Sequence, residues 1–209
     1  HTIRNLQSGY SLFDTIAADA SVHDLIVTGA WVSNLIVAQP FVEAPSHGET
    51  GILAGRNWGR VFRCEIAGQI VSEHISTGGL IGRNDGQVTD CRFSGRVRPG
   101  DRSSYVGGLV GMNTGSIVRC CARDMEVSGS AYVGGLVGQS ISATASIEAC
   151  YATGIVQGAG VVGGLVGQHG STPFTTRRAF SAQEQIVVAD DPVTDATIRD
   201  CYAACSVAG

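Results

Sequence analysis

Seven cysteines are the residues of this chain best suited to chemistry, since they could bind a metal ion, form disulfide bonds or pack in a core. Five of them follow an apolar residue by three positions: Cys64, Cys91, Cys120, Cys150 and Cys201. Leu25 takes that place in an N-terminal copy, and a free cysteine packs as a small apolar group. The sequence also lacks the close Cys-x-x-Cys pairs typical of zinc sites.

The sequence therefore predicts a structural column of buried, mostly unpaired cysteines and no metal site. Disulfide bonds are the alternative, with Cys201 and Cys205 as the best-placed pair. A buried hydroxyl in this column would need a partner that the pattern does not offer, so we expect Cys91→Ser to destabilise the protein.

Histidines and carboxylates show no spacing typical of catalysis or metal binding. Glycoside hydrolysis needs two carboxyl groups at a defined separation, and the acidic residues fall in unrelated parts of the pattern. We expect no catalytic residue and no cofactor. If a site exists, it should lie where the loop at 33–49 or the loop at 171–194 meets the body of the protein, with these residues as the first to test: Glu43, His47, Glu49, Arg177 and Arg178.

A glycine-rich phrase is repeated five times and organises the whole chain. The copies start at Thr50, Thr77, Val106, Val133 and Val162, which are 27, 29, 27 and 29 residues apart. Three copies continue into an Asn-x-Gly turn, in which Asn and Gly are expected because they tolerate positive φ. Short segments rich in Val and Ile follow, bounded by Gly, Asn and Ser. Such a fixed period is typical of stacked-repeat proteins.

The repeat predicts an all-β fold, a parallel β-helix of about six coils with 27–29 residues in each. We expect residues 1–209 to form one domain. Within it, residues 1–49 are an atypical capping coil plus a loop, residues 50–170 are regular coils, and residues 171–209 are an interrupted last coil. The glycines of the phrase, such as Gly108 and Gly135, should occupy tight places or conformations closed to other residues.

Stacking of coils in register predicts two ladders of side chains. The residue before each column cysteine alternates in charge over the first four coils, through Asp24, Arg63, Asp90 and Arg119. Opposite charges stacked in this way stabilise neighbouring strands. Tyr105 and Tyr132 directly precede the glycine phrase in consecutive coils and should stack, either as a ladder that stiffens the wall, which we favour, or as a platform for a sugar.

Composition excludes two classes of partner. The formal net charge is −4 at pH 7, whereas non-specific nucleic-acid binding depends on Lys and Arg. No stretch reaches the roughly 18–20 apolar residues of a membrane-spanning helix. The chain begins in the middle of its pattern, as expected of a processed protein or a piece of a larger one.

The glycine-leucine-valine-glycine phrase, followed by a turn and a Cys-Tyr-Ala-like unit, resembles the GLUG-motif repeats of bacterial surface proteins. The clearest copies are Val133 to Ile155 and Val106 to Gly115. Such repeats occur in large secreted adhesins resembling filamentous haemagglutinin and beside the catalytic part of IgA-specific metallopeptidases. Those peptidases carry a zinc-binding His-Glu-x-x-His run, which this chain lacks, so the resemblance does not imply their activity.

We therefore expect a non-catalytic structural or adhesive repeat segment of a larger extracellular or cell-surface protein. Its partner would be a host or matrix glycan or protein, or neighbouring domains or copies of an assembly. The alternative is a carbohydrate-binding or carbohydrate-active β-helix, such as a polysaccharide lyase or hydrolase, with a site at a loop–wall junction. The possible ligand contacts are Glu43, His47, Glu49, Tyr105 and Tyr132.

Overall fold

The computed structural model describes residues 1–34, 48–100, 102–170 and 197–209. The regular structure of these residues is entirely β, and the strands pair in parallel within four sheets. The predicted parallel β-helix is confirmed.

Each sheet is made of the equivalent strands of successive coils. The wide sheet contains β1 (Thr2–Arg4), β2 (Gln7–Ser8), β5 (Ile26–Asn34), β9 (Glu65–Ser72), β13 (Arg92–Pro99), β17 (Cys121–Gly129), β21 (Tyr151–Gly158) and β25 (Tyr202–Ala208). The asparagine sheet contains β3 (Phe13–Ile16), β7 (Ala54–Asn57), β11 (Ile81–Asn84), β15 (Val110–Asn113), β19 (Val137–Ser140) and β23 (Val166–His169).

Two narrower sheets complete the cross-section. The cysteine sheet contains β4 (Ser21–His23), β8 (Arg60–Phe62), β12 (Gln87–Thr89), β16 (Ser116–Val118), β20 (Ser146–Glu148) and β24 (Thr197–Arg199). The glycine sheet contains β6 (Glu49–Thr50), β10 (Ser76–Gly78), β14 (Tyr105–Gly107), β18 (Tyr132–Gly134) and β22 (Val161–Gly163).

One regular coil runs through the glycine, asparagine, cysteine and wide sheets in turn, as β10 to β13 do. Equivalent residues of successive coils pair directly, for example Thr77 with Val106 and Val106 with Val133. Because neighbouring strands lie about 4.8 Å apart, equivalent side chains form columns along the axis. The core is built from such columns, and one of them is the leucine of the glycine phrase: Leu53, Leu80, Leu109, Leu136 and Leu165.

Lack of space explains the second glycine of the phrase. A Cβ on Gly108 would lie 2.1 Å from the carbonyl oxygen of Gly135, and a Cβ on Gly135 would lie 2.0 Å from that of Gly164. Neither Gly108 nor Gly135 has a positive φ. Of the two reasons considered from the sequence, close contact between coils is therefore the one that applies at both positions.

The reason predicted for the Asn-x-Gly turn is wrong. Asn57, Asn84 and Asn113 do not have positive φ; they end strands of the asparagine sheet and their side chains are fully buried. The Asn57 amide donates to Asn84 Oδ1 at 2.8 Å, and the Asn84 amide donates to Asn113 Oδ1 at 2.8 Å. The asparagines therefore form a buried amide ladder, because each can donate to one neighbour and accept from the other.

Positive φ occurs at another corner, between the cysteine sheet and the wide sheet. The residue before each column cysteine has φ between 50° and 54°: Asp24, Arg63, Asp90, Arg119, Ala149 and Asp200. This left-handed conformation is uncommon for residues other than Gly, Asn and Asp. The charged column seen in the sequence is thus also the corner at which each coil changes direction.

Candidate functional site

The cysteine column lies inside the solenoid. Cys64, Cys91, Cys120 and Cys150 are buried, Cys201 is partly buried, and all five are free thiols. The sulfur of each later cysteine accepts a hydrogen bond from the backbone N–H of the cysteine one coil earlier, at 3.3 Å from Cys91 to Cys120 and again from Cys120 to Cys150. Burial, followed by hydrogen bonds with its two neighbours, raises the pKa of the Cys120 thiol.

The remaining cysteines belong to other columns. Cys121 pairs with Arg92 and Tyr151 in the wide sheet and is only 3% exposed. Cys205 is also a free thiol, in register with Gly154. Burial raises its pKa to about 11. Cys201 and Cys205 therefore lie in different columns with unbonded sulfurs.

The charged column forms discrete ion pairs. Arg63 donates to both carboxylate oxygens of Asp24 at 2.6 Å, and Arg119 donates to those of Asp90 at 2.7 and 2.9 Å. The bonds from Arg63, then from His23, hold the pKa of Asp24 well below its ordinary value. Arg119 lowers the pKa of Asp90 in the same way. Each pair neutralises itself, so this corner is not a strip of one charge.

The loop residues named from the sequence are only partly described. Glu43, His47, Arg177 and Arg178 lie outside the described residues. Glu49 lies in β6 and is partly buried.

A buried histidine next to Glu49 was missed, because histidines were considered only for metal-ligand spacing. His74 is 5% exposed, and its Nδ1 shares a hydrogen bond with the Thr50 hydroxyl. Burial lowers the pKa of His74, and a hydrogen bond to the Glu49 backbone opposes the shift. Ser103 donates to the His74 carbonyl. The neutral imidazole is thus an internal part of the wall.

The predicted tyrosine stack is present. The rings of Tyr105 and Tyr132 are half-buried, with centroids 5.6 Å apart and an interplanar angle of 19°. A second stack, between Tyr151 and Tyr202, has centroids 5.1 Å apart and an angle of 3°. The sequence signal for this second stack was available, because each tyrosine directly follows a column cysteine.

A groove lies at the corner between the asparagine and cysteine sheets, and sequence reasoning missed it. This corner groove is an open depression of about 410 Å³. It is lined by Ala18, Trp58, Gly59, Arg60, Asp85, Gly86, Gln87, Gly115, Ser116 and Thr144. Since these residues come from five successive coils, the groove runs along the solenoid axis.

An ion network fixes one side of the corner groove. The Arg56 guanidinium lies 4.4 Å from the centroid of the Trp58 ring and donates to Asp85 at 2.7 Å. Asp85 also accepts hydrogen bonds from Arg83 at 3.0 Å and from the Thr114 hydroxyl at 2.6 Å. Burial alone would raise the pKa of Asp85, but the bonds from Arg83, Thr114 and Arg56 outweigh it and the pKa is lowered. Asp85 is therefore an ionised carboxylate that holds Arg56 and Arg83 in place, and it is not suited to donate a proton.

No group of three or more His, Cys, Asp or Glu side chains among the described residues is placed to hold a metal ion. No helix in the part of the chain that the structure describes is long and apolar enough to cross a membrane.

The four-sided stack of parallel strands defines the chain as a parallel β-helix, and comparison with known proteins adds the repeat type. The family model of the GLUG motif matches two segments of the chain, residues 73–98 and 129–157. The resemblance drawn from the sequence is thus confirmed. The copy at Val133 to Ile155 lies inside the second match, whereas the copy at Val106 to Gly115 lies outside both.

A solved structure with the same fold is described as a "putative immunoglobulin A1 protease" from Bacteroides ovatus. It is 18% identical to this chain, with a TM-score of 0.57 over 100% of this chain and 67% of the other. Identity at this level shows the fold alone. No curated protein matches the chain.

Proposed function

We propose that this chain is a non-catalytic, structural and adhesive repeat segment of a larger extracellular or cell-surface protein. The uniform register of the coils in the glycine sheet is the observation that carries the proposal. Tyr105 pairs with Tyr132, and Val133 pairs with Val162, without a shift of register in the glycine sheet. A solenoid of this kind, in which each coil contacts only its neighbours, makes a spacer with repeated outer faces.

Four acidic residues in ion pairs are poorly suited to general acid catalysis. Asp24, Asp85, Asp90 and Glu126 each form ion pairs with arginine. The pKa of each of these carboxyl groups is lowered, whereas general acid catalysis near neutral pH requires a raised value. The partner of the adhesive surface would be a host or matrix glycan or protein, or neighbouring domains or copies in an assembly.

Turnover assays test the absence of catalysis. The purified chain is incubated with a panel of acidic and neutral polysaccharides, and reducing ends and unsaturated products are measured. We expect no product above the level of a heat-denatured control. Turnover that disappears in Glu49→Gln or His47→Ala, in protein with an unchanged circular dichroism spectrum, would overturn the proposal in favour of a lyase or hydrolase.

Surface labelling tests the proposed location. Antibodies against the chain should label intact cells of the producing organism, and brief protease treatment of these cells should remove the signal. Labelling that requires permeabilised cells would contradict an extracellular role.

A further inference from the structure

We propose that the corner groove binds an oligosaccharide chain, laid along the solenoid axis with one sugar ring against Trp58. The inference rests on the proposed adhesive function and names a site and a ligand class for it. Three features of the groove carry the argument: its walls, its aromatic residue and its row of polar side chains.

The groove is closed at both ends because the turns at this corner differ in length between coils. The second, third and fourth coils cross the corner in two residues each, at 58–59, 85–86 and 114–115. The first coil uses residues 17–20, and the fifth uses residues 141–145. Three short turns therefore lie between two longer ones, which supply Ala18 at one end and Thr144 at the other. From the first coil to the fifth the groove spans about 19 Å, four strand spacings.

The three short turns form the floor of the groove and leave it unfilled. Gly59, Gly86 and Gly115 line the groove and have no side chain to fill it. Their identity follows from packing between coils, because a Cβ on Gly86 would lie 2.2 Å from the Gly59 carbonyl oxygen and one on Gly115 would lie 2.1 Å from that of Gly86. A trough of this length and depth accommodates an extended chain better than a compact ligand.

Trp58 is the aromatic residue that lines the groove. It remains 42% exposed although it is held in place by the stacked guanidinium of Arg56. Arg56 is in turn fixed by its bond to Asp85. The ring is thus oriented before any ligand binds, which reduces the entropy lost on binding. Aromatic side chains with a few placed polar groups are typical of small-ligand sites, and the C–H faces of sugar rings pack against such rings.

A row of polar side chains follows the groove on its cysteine-sheet side. Arg60, Gln87 and Ser116 line the groove and are paired in register on β8, β12 and β16. Ser146 continues the row on β20 beyond the lining and donates to the Ser116 hydroxyl at 3.0 Å. They repeat about every 4.8 Å and offer both hydrogen-bond donors and acceptors, as the hydroxyl groups of an extended glycan require.

The charged residues of the groove limit the class of ligand that it can bind. Two charged residues line the groove, and Asp85 is neutralised by Arg56 and Arg83. Arg60 is the other charged lining residue, and its guanidinium lies 5.8 Å from the centroid of the Phe62 ring, where it can meet a ligand. One such cation is too few for a nucleic-acid backbone, which presents a phosphate at every nucleotide. The ligand class is therefore an oligosaccharide of mainly uncharged sugars, with a carboxylated sugar accommodated beside Arg60.

The test uses the intact chain, whose two tryptophans are Trp31 and Trp58. An array of neutral and acidic glycans is probed first, together with soluble chitohexaose, cellohexaose and hexagalacturonate. Each binding glycan is then titrated against the Trp31→Phe variant, in which Trp58 is the remaining tryptophan. We expect saturable binding with a change in Trp58 fluorescence.

Matched variants locate the site. Trp58→Ala should weaken binding by about tenfold or more, as expected for a central aromatic contact, whereas Trp31→Ala, on β5 of the wide sheet and 46% exposed, should leave it unchanged. Gln87→Ala and Arg60→Ala should each weaken it about threefold to tenfold, and Arg92→Ala on the wide sheet serves as the charge control. The two surface substitutions keep the test valid if Trp58→Ala does not fold.

Several outcomes would overturn the inference. They are no glycan bound at millimolar concentration, binding that is insensitive to Trp58, Gln87 and Arg60, or a groove that binds only peptides. None of these outcomes contradicts the proposed structural role as a cell-surface segment. Turnover of a bound glycan would instead contradict the non-catalytic function while leaving the groove as the site.

Discussion

The buried asparagine ladder should be the most sensitive polar element of the solenoid, and Asn84 is its central member. Asn84 accepts from Asn57 and donates to Asn113, at 2.8 Å in both cases, and is fully buried. Asn84→Ala therefore removes the partner of one amide and of one carbonyl oxygen.

The expected loss follows from these two groups. Each buried polar group left without its partner costs about 1–3 kcal/mol. The Asn57 amide keeps weaker contacts at 3.4 Å to the carbonyl oxygens of Gly59 and Gln87, whereas Asn113 Oδ1 loses the 2.8 Å hydrogen bond that it accepts from Asn84. We therefore expect Asn84→Ala to lower the free energy of unfolding by about 2–4 kcal/mol.

Asn84→Asp separates hydrogen bonding from volume. The carboxylate keeps the shape and still accepts from Asn57, but it faces Asn113 Oδ1 without a proton to donate. Burial and this contact raise the pKa of the new carboxyl in the folded protein above its unfolded value of about 3.9. The loss relative to wild type is then complete above the folded pKa and decreases as the pH falls through it.

Urea unfolding followed by circular dichroism measures these effects. Gln157→Ala, an exposed position on β21, should change stability by less than about 0.5 kcal/mol and controls for the loss of an amide. An Asn84→Ala loss below about 1 kcal/mol, or an Asn84→Asp loss that grows on acidification, would refute the reasoning.

Four further predictions concern the backbone and the buried side chains. Gly135→Val should lower the melting temperature by about 4 °C or more, because its Cβ would meet the Gly164 carbonyl oxygen at 2.0 Å; a change below about one degree would contradict the packing role. Burial lowers the pKa of His74 below its unfolded value of about 6.5, so the stabilisation that comes from the neutral imidazole should be present above about pH 6.5 and be lost as the pH falls below it. Wild type should therefore lose more stability between pH 7 and pH 5 than His74→Gln does. Denatured, unreduced protein should contain at least five free thiols, and two or fewer would contradict the reduced column. The reason given from the sequence for a destabilising Cys91→Ser is wrong, since the Cys91 sulfur lies 3.2 Å from the Thr89 carbonyl oxygen and a hydroxyl there would find an acceptor. Ala149→Gly should raise stability by up to about 1 kcal/mol in urea unfolding, because it relieves a non-glycine residue with φ of 51°, and a loss of stability would show that this corner is not strained.

The sequence by itself determined the repeat, and with it the fold and the register. A phrase that returns every 27–29 residues can bury its apolar positions by stacking on itself, so the leucine, cysteine and tyrosine columns followed from alignment of the copies. Pairs such as Tyr105 with Tyr132 and Asp24 with Arg63 could be predicted because stacked residues occupy equivalent positions in neighbouring coils.

What the repeat pattern left open was the conformation and depth of each corner, which only the tertiary structure decided. An asparagine such as Asn84 is equally compatible with an exposed turn and with a buried amide ladder. Its φ and its burial in the structure show that it belongs to the ladder. The contact between His74 and Thr50 joins residues 24 positions apart that are not equivalent in the repeat. The corner groove depends on small differences in turn length among five coils, and it exists because stacking places those turns side by side.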